Sequence, residues 1–345
     1  MIPEPSAVRD RAVASLVRAC IATGMAAVDK NIRASDYVRR WGDQNADLIL
    51  RAVASPATIA NTPALTQVAF AFLQSLVPLS AGAGLLTRAI GLNFNGAASI
   101  NVPGISIPNA DFVSEGAPIP VVQSVTSVGT TLKPFKLAVI SALSGEMMRH
   151  SSAEQLVRQV LIEACGPAID KVLFSSNAAV AEQRPAGLLN GIAALTPAAA
   201  GGQSKGEVLV DDLQKLGAAV APVAGNGNII LVASVDAAVA LVLRMPQTLQ
   251  WPVLTSSSLA ARTVIAVAAN AVVSALEGTP EITASQEASL HFDTAPGPLV
   301  DFGGVAARPV GSLWQTDVTG LRLLWPISWA LRDSRGIAWM TGVNW

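Results

Sequence analysis

The chain has 345 residues, enough for two subdomains or one elaborate domain with a full hydrophobic core. Charged residues make up 14% of it, against about 25% in a typical soluble domain, whereas apolar residues make up 51%. The net charge of −1 excludes the strong basic excess of a protein built to grip nucleic acid, and the low charged fraction predicts a subunit that gives much of its surface to protein neighbours.

Membrane insertion, secretion and disulfide bonding are not expected. The uncharged run from Ala52 to Thr87 is broken by three prolines and many polar residues, so it is no transmembrane span. The N-terminal MIPEPSAVRDRAV has no apolar region behind a basic start, so no secretory signal is expected. Cys20 and Cys165 lie far apart without CxxC spacing and are interpreted as buried thiols.

The first 91 residues predict helices and then an extended arm. From Ser6 to about Ala54 the sequence favours helix, with one apolar face at Val13, Leu16, Val17 and Cys20. Residues 52–79 are rich in Pro, Thr and Ala and predict an arm with a short amphipathic piece around 68–76. Such an arm has little core of its own and must lie on another surface.

Residues 93–136 predict a long two-stranded ribbon. A strand near 98–102 leads to the tip FVSEGAPIPV, and the chain returns over 121–136. The prolines at the tip exclude a helix or a central strand, so the tip is a stiff protruding loop that carries the lone Glu115. An isolated ribbon is marginal in water and requires a partner.

A spine helix and an α/β module follow. Ser151 or Ser152 is the expected N-cap of a helix that continues to Leu173. Helix 208–220, strand 228–233, helix 236–244 and the β-rich stretch 262–276 then alternate. Near the end, strict alternation from Leu321 to Leu331 and again from Ile337 predicts a heavily buried hairpin, with Trp325, Trp329 and Trp339 as its packing residues.

Catalytic and metal-binding patterns are missing from the sequence. His150 and His291 are the two histidines, and neither is placed to serve a neighbouring serine. HExxH, GxSxG and Walker motifs do not occur. Asp211 and Asp212 near a helix start are explained by the helix dipole. We therefore expect no enzyme, no cofactor and no metal.

Five segments in this order resemble the major capsid proteins of tailed bacteriophages, whose fold also occurs in encapsulin shells and in the herpesvirus capsid floor. They are DFVSEGAPIPV, LKPFKLAVISALSGEMMRHSS, RPAGLLNGI, IILVASVDAAVAL and SLWQTDVTGLRLLWPISWALR. The resemblance covers roughly residues 52–345. It implies an α+β fold with an N-terminal arm, an extended β-ribbon loop, a peripheral domain with a long spine helix, and an α/β axial domain.

The implied division of the chain is an N-terminal helical segment 1–51, N-arm 52–91, extended loop 92–136, peripheral domain 137–205, axial domain 206–304 and C-terminal strands of the peripheral domain 305–345. A long acidic scaffold segment, which precursors in this family carry, is not visible before the arm. Whether residues 1–51 are cleaved or act as a scaffold stays open.

The resemblance implies a structural subunit that closes into pentamers and hexamers around packaged double-stranded DNA, located in the virion and, during assembly, in the host cytoplasm. Its partners would be copies of itself and a portal protein, with a scaffold, protease or decoration protein as further candidates, and it would enclose DNA without specific binding. The expected assembly contacts at the loop tip are Asp111, Glu115, Pro118 and Pro120. Two alternatives stay open: an encapsulin-like compartment with an enzyme cargo, and a serine-type hydrolase.

Overall fold

The computed structural model describes residues 6–29, 32–54, 62–94, 96–104, 112–115, 129–149, 153–199, 201–245, 249–278, 280–291 and 310–345. The chain divides into two compact units. Unit 1 comprises Met1–Phe72, Leu137–Ala164 and Gly278–Trp325, and unit 2 comprises Leu73–Lys136, Cys165–Glu277 and Pro326–Trp345. None of the helices in the described ranges has the length and apolar character that a membrane span requires.

Helices and strands alternate along the chain after a helical start. The helices are α1 Ser6–Val28, α2 Ala34–Trp41, α3 Gln44–Ala54, α4 Thr62–Leu76, α5 Ala81–Leu86, α6 Gly145–Arg149, α7 Ala153–Leu173, α8 Lys205–Val220 and α9 Val235–Arg244. The strands are β1 Ile90–Asn93, β2 Ile100–Val102, β3 Thr130–Leu132, β4 Phe135–Ser144, β5 Ile229–Ser234, β6 Val253–Ser256, β7 Thr263–Ala268, β8 Val272–Leu276, β9 Glu281–Ser285, β10 Ser289–His291, β11 Val310–Ser312, β12 Val318–Leu331 and β13 Ile337–Thr341.

Unit 1 is built around α1, which packs against α2, α3 and β9. The predicted apolar face of α1 is buried, with no residue of it more than 2% exposed: Val13, Leu16, Val17 and Cys20. The first part of β12 pairs antiparallel with β9, from Gly320 opposite Ser285 to Leu324 opposite Glu281. The strand β4 also pairs with β12, and β10 pairs with β11.

The expected extended arm is wrong over residues 62–67, and the amphipathic piece expected around 68–76 is helical, because residues 62–76 form α4. Pro63 is the second residue of this helix, a position where the missing N–H of proline costs nothing. Buried apolar residues then recur on one side, at Ala69, Phe72, Leu73 and Leu76. Phe72 packs edge-on against Trp325, with ring centroids 5.2 Å apart. This segment therefore contributes to the hydrophobic core.

Unit 2 contains the predicted α/β module. Its four-stranded sheet has the order β13-β7-β5-β6, in which only β5 and β6 are parallel. α8 packs on β13 and β7, and α9 packs on β5 and β6. Both helices belong to one apolar core with alternate residues of the sheet, such as Leu231, Ala266 and Met340, so they cover the same face. α8 begins at a capping box in which Ser204 and Glu207 satisfy each other's backbone N–H groups.

The predicted C-terminal hairpin is wrong, because β12 and β13 lie in different sheets. The last part of β12 pairs antiparallel with β8, whereas β13 pairs antiparallel with β7. The predicted β-rich stretch 262–276 is confirmed, and its two strands, β7 and β8, also lie in different sheets. At the corner, Arg332 N donates to Ala271 O at 2.8 Å, and a Cβ on Gly336 would lie 2.2 Å from Ala271 Cβ. Only glycine permits this close crossing.

The spine helix is confirmed as α7, and its expected N-cap residues 151 and 152 lie outside the described residues. Asp170 on α7 is 2% exposed. Its carboxylate accepts hydrogen bonds from Ser80 Oγ (2.5 Å), Ala81 N (3.1 Å), Gly82 N (2.8 Å) and Ser256 Oγ (2.6 Å). These bonds tie α7 to the start of α5 and to the end of β6, and they satisfy a charge that is costly to bury alone.

Asp212 on α8 is a second buried carboxylate, with no exposed surface. It accepts hydrogen bonds from Ala198 N at 2.6 Å and from the indole Nε1 of Trp345 at 2.9 Å. The helix dipole was therefore an incomplete explanation of this residue. Asp212 joins the loop before α8 to the last residue of the chain.

Replacing Asp170 with Asn should lower the free energy of unfolding by about 3 kcal/mol, because the amide nitrogen turns one acceptor into a donor that faces buried donors. Urea denaturation of the purified protein measures this value. Glu163→Gln, an exposed residue on the same helix, is the matched control and should change stability by less than about 0.5 kcal/mol. Equal effects of the two substitutions would contradict the role of Asp170.

Both cysteines are buried as predicted, and burial raises the pKa of each thiol from 9.0 to about 12. The folded state therefore holds these protons more tightly than the unfolded state does. Their contribution to stability is complete below pH 9 and is lost as the pH rises from 9 towards 12.

At pH 8, a thiol reagent should label the native protein far more slowly than the urea-unfolded protein; equal rates would show accessible thiolates.

Candidate functional site

Helix α9 carries apolar side chains on the surface that it turns away from the core. Four large aliphatic residues on this helix have exposed fractions between 53% and 75%: Val235, Val239, Val242 and Leu243. Their spacing of i, i+4, i+7 and i+8 places them along one side of the helix. We call these four residues the α9 stripe.

The opposite side of α9 faces the core. Ala237, Ala238 and Leu241 are buried against the α/β sheet. Sequence analysis predicted a helix over 236–244 without assigning its sides, so it did not identify the stripe.

The start of α9 is fixed by polar contacts. Asp236 accepts a hydrogen bond from Arg262 N at 2.9 Å, and Thr263 N donates to Ser234 Oγ at 3.2 Å. The hydroxyl of Ser234, together with the backbone N–H groups of Arg262 and Ala237, lowers the pKa of the Asp236 carboxyl. These hydrogen bonds hold the start of α9 on the sheet, whereas the outer side of the helix is exposed to solvent.

The base of the predicted ribbon is present in unit 2. β2 and β3 pair antiparallel, from Ile100 opposite Leu132 to Val102 opposite Thr130. Leu132 and Val102 pack in a small core with Phe94 and residues of β8. Thr130 Oγ1 also donates to Leu331 O at 3.2 Å, so the base of the ribbon is anchored.

The loop tip is described only at residues 112–115, all of which are exposed, including Glu115. Three of the four predicted loop-tip contacts lie outside the described residues: Asp111, Pro118 and Pro120. Lys133 and Lys136 near the base of the ribbon are exposed, as expected.

A groove of about 640 Å³ lies beside the ribbon base in unit 2. It is lined by parts of β3, of the loop between residues 179 and 192, and of β12. Lys133 is the one titratable residue among its described lining residues. The groove therefore offers no acid–base pair and no nucleophile with a neighbouring base.

The tryptophans near the C-terminus act as anchors, although they do not share a hairpin. Trp329 is 6% exposed, and its Nε1 donates to Ala186 O at 3.0 Å. Trp339 is half-buried, and its Nε1 donates to Ile192 O at 2.9 Å. Both carbonyls belong to the long segment between α7 and α8, so these indoles hold that segment on unit 2.

Trp325 belongs to unit 1 and differs from the other two. It is completely buried and packs against Phe72, but its Nε1 has no hydrogen-bond acceptor among the described residues. Trp325 therefore contributes apolar area and ring packing, and its polar atom adds nothing.

Metal-binding and catalytic clusters do not emerge from the part of the chain that the structure describes. Within it, no group of three His, Cys, Asp or Glu residues could hold a metal ion. His150 lies outside the described residues, and His291 is on the short strand β10. The α9 stripe, the described tip residues 112–115 of the ribbon and the groove are exposed features that suit contacts with other macromolecules.

Sequence comparison relates this chain to phage capsid proteins. The model of the phage capsid family matches residues 81–244, from α5 to the end of α9. The capsid polyprotein of Pseudomonas phage PAJU2 is 30% identical over 239 residues, and the match covers 62% of this chain and 34% of that protein. The chain thus spans about a third of the length of this curated relative.

Solved structures agree on the fold. A chain from Mycobacterium phage Adephagia has 15% identity and a TM-score of 0.51, over 77% of this chain and 91% of that one. The procapsid of satellite phage P4, solved with its size determination protein, contains a chain with 9% identity and a TM-score of 0.51, over 84% of this chain and 92% of that one. The tailed-phage capsid fold that the five sequence motifs indicated is confirmed.

The two buried tryptophans of β12 should respond differently to replacement by Phe. Trp329→Phe removes a hydrogen bond and deprives the Ala186 carbonyl of its donor, whereas Trp325→Phe removes an N–H without a described acceptor. We expect Trp329→Phe to lower the free energy of unfolding by about 1 kcal/mol more than Trp325→Phe, measured by urea denaturation. A larger loss for Trp325→Phe would contradict these roles.

Proposed function

We propose that this chain, which has the tailed-phage capsid fold and matches the phage capsid family over residues 81–244, is a major capsid protein. Its copies would form the pentamers and hexamers of an icosahedral shell around double-stranded DNA. The observation that carries the proposal is the α9 stripe. A firmly held helix with an apolar outer side is typical of a subunit whose surface is covered by another subunit.

A second copy of this chain is the partner that the stripe fits. Full burial of a Val or Leu side chain contributes about 1.5–3 kcal/mol. These four side chains are already partly covered, so their contact with a neighbour would contribute on the order of 4 kcal/mol per copy. This is modest for one contact, but a closed ring repeats it at every subunit boundary.

The ribbon would provide a second contact. Its base is anchored in the core of unit 2 and its described tip residues are exposed, which suits a loop that reaches across a neighbouring subunit. Glu115 would select a basic partner there, with Asp111, Pro118 and Pro120 beside it. An exposed charge pair of this kind adds little affinity and acts mainly on specificity.

The remaining partners follow from the role of a shell subunit. A portal protein would occupy one vertex, and a scaffold, protease or decoration protein could take part in assembly. The protein would be in the virion after assembly and in the host cytoplasm before it. No catalytic activity is proposed, since the groove lacks the required groups.

Val242→Asp should leave the subunit folded and abolish closed particles, because it places a charge in the middle of the stripe. Val242 is 61% exposed, so the change should alter the free energy of unfolding by less than about 0.5 kcal/mol. Size-exclusion chromatography and negative-stain electron microscopy measure assembly, and urea denaturation measures folding.

Val210→Asp is the matched control. Val210 on α8 is also exposed, at 38%, but it is not part of the stripe, so this variant should assemble like the unmodified chain. Normal particles from Val242→Asp would show that the stripe is no subunit contact. An unmodified chain that stays monomeric at all salt and protein concentrations would overturn the proposed function itself.

A further inference from the structure

A second cavity lies in unit 1, at the turn between α2 and α3. Its volume is about 660 Å³, within the range of small-ligand sites. The lining residues come from α1, from the α2–α3 turn and from α7: Ala14, Ser15, Arg18, Trp41, Gly42, Asp43, Gln44, Asn45 and Arg158. We call this cavity the α2–α3 cleft.

The polar groups of the cleft are mostly donors. Arg18 and Arg158 contribute guanidinium groups, and Gln44 and Asn45 contribute exposed amides. Asp43 is the one acidic residue among the described lining residues.

The carboxylate of Asp43 is already occupied. It accepts hydrogen bonds from Ser15 Oγ at 2.9 Å, from Arg18 Nη1 at 3.2 Å and from Ala46 N at 3.1 Å. Its role is therefore to shape the turn and to orient Arg18. It does not present a free anionic surface to an incoming ligand.

Two further cations immediately precede Trp41, which lines the cleft. Arg39 and Arg40, in the last turn of α2, are exposed, and neither forms an ion pair with any residue that the structure describes. Cations at this position also complement the helix dipole, which accounts for their presence in part. The dipole does not account for the aromatic residues next to Arg40.

Trp41 follows the two arginines directly and is 41% exposed, although its ring forms part of the cleft wall. Tyr37, one helical turn earlier, lies 6.3 Å from the Trp41 ring, and the Arg40 guanidinium lies 6.0 Å from the Tyr37 ring. The i, i+3 and i+4 spacing of Tyr37, Arg40 and Trp41 thus places one cation beside two aromatic rings on one side of α2. Proteins that bind nucleic-acid strands combine these two elements, cations for phosphates and ring faces for bases.

We propose that the α2–α3 cleft and the adjoining Arg39 and Arg40 form a binding site for the phosphate backbone of nucleic acid. Arg39, Arg40 and the side-chain amides of Gln44 and Asn45 hold phosphates, and Trp41 stacks on a base where a base is accessible. Binding is weak and independent of sequence, with a dissociation constant of about 10⁻⁴ to 10⁻⁶ M at physiological salt. This site extends beyond the proposed function, because it can bind phosphates whether or not the chain assembles.

The test is fluorescence anisotropy with the full-length chain and two labelled DNAs, a 20-base-pair duplex and a 20-nucleotide single strand, at a series of NaCl concentrations. Removing two phosphate contacts with Arg39→Gln/Arg40→Gln should make the slope of log K against log salt shallower by about 1.8 for the duplex. Trp41→Leu should weaken binding of the single strand by about tenfold and leave duplex binding nearly unchanged. The difference between the two DNAs identifies which form uses the ring.

Arg88→Gln/Lys215→Gln is the matched control, since it removes the same charge from exposed positions in unit 2. It should leave the salt slope unchanged. Equal loss of binding in the control and in Arg39→Gln/Arg40→Gln would overturn the site, as would undetectable DNA binding at 50 mM NaCl. Tighter binding of poly-glutamate than of either DNA would also overturn it and would indicate an acidic protein segment as the ligand.

Discussion

A buried carboxylate that must be satisfied by hydrogen bonds is the constraint on which unit 2 depends. Asp170 meets this requirement by accepting bonds from two backbone N–H groups at the start of α5 and from two serine hydroxyls. If any of these donors moved away, the buried carboxylate would lose a hydrogen bond in an apolar interior. The spine helix, α5 and β6 are therefore fixed in one arrangement. Asp212 imposes the same condition on the end of the chain through Trp345.

Much of the fold could be predicted from the sequence because local patterns are strong. The apolar face of α1, the spine helix and the α/β module follow from periodicity and capping residues. The pairing of the last strands could not be predicted in this way. β12 and β13 both alternate, but the corner between them depends on the contact of Gly336 with Ala271, residues far apart in the sequence. The alternation of apolar and polar residues indicates which side of a strand is buried, but it does not indicate which strand pairs with it.

The proposed contact surfaces were harder to predict than the fold. Glu115 stands out because it is a charge in an otherwise uncharged, proline-containing stretch, and its role as an assembly contact stays a prediction. The α9 stripe was not found, because hydrophobic periodicity identifies an apolar side without stating what covers it. Alanines allow α9 to lie close to the sheet, so its valines face outwards. The structural role of Asp212 was missed for a related reason. A carboxylate near the start of a helix is already explained by the helix dipole, whereas the hydrogen bond from Trp345 joins residues far apart in the sequence.

In a chain with so few charges, the position of each unpaired charge is informative. The charges with a clear structural role are engaged by their own chain: Asp170 and Asp212 accept buried donors, and Asp333 binds Arg335 at 2.6 Å. Arg39 and Arg40 are different, because they stand exposed beside an aromatic ring without a described counter-ion. The apolar side of a helix suits contact with another protein surface. Cations beside an aromatic ring suit a ligand that has both an anionic group and a flat apolar part. The α9 stripe lies in unit 2 and the two arginines lie in unit 1, so a substitution in one surface leaves the residues of the other unchanged and the two proposals can be tested independently.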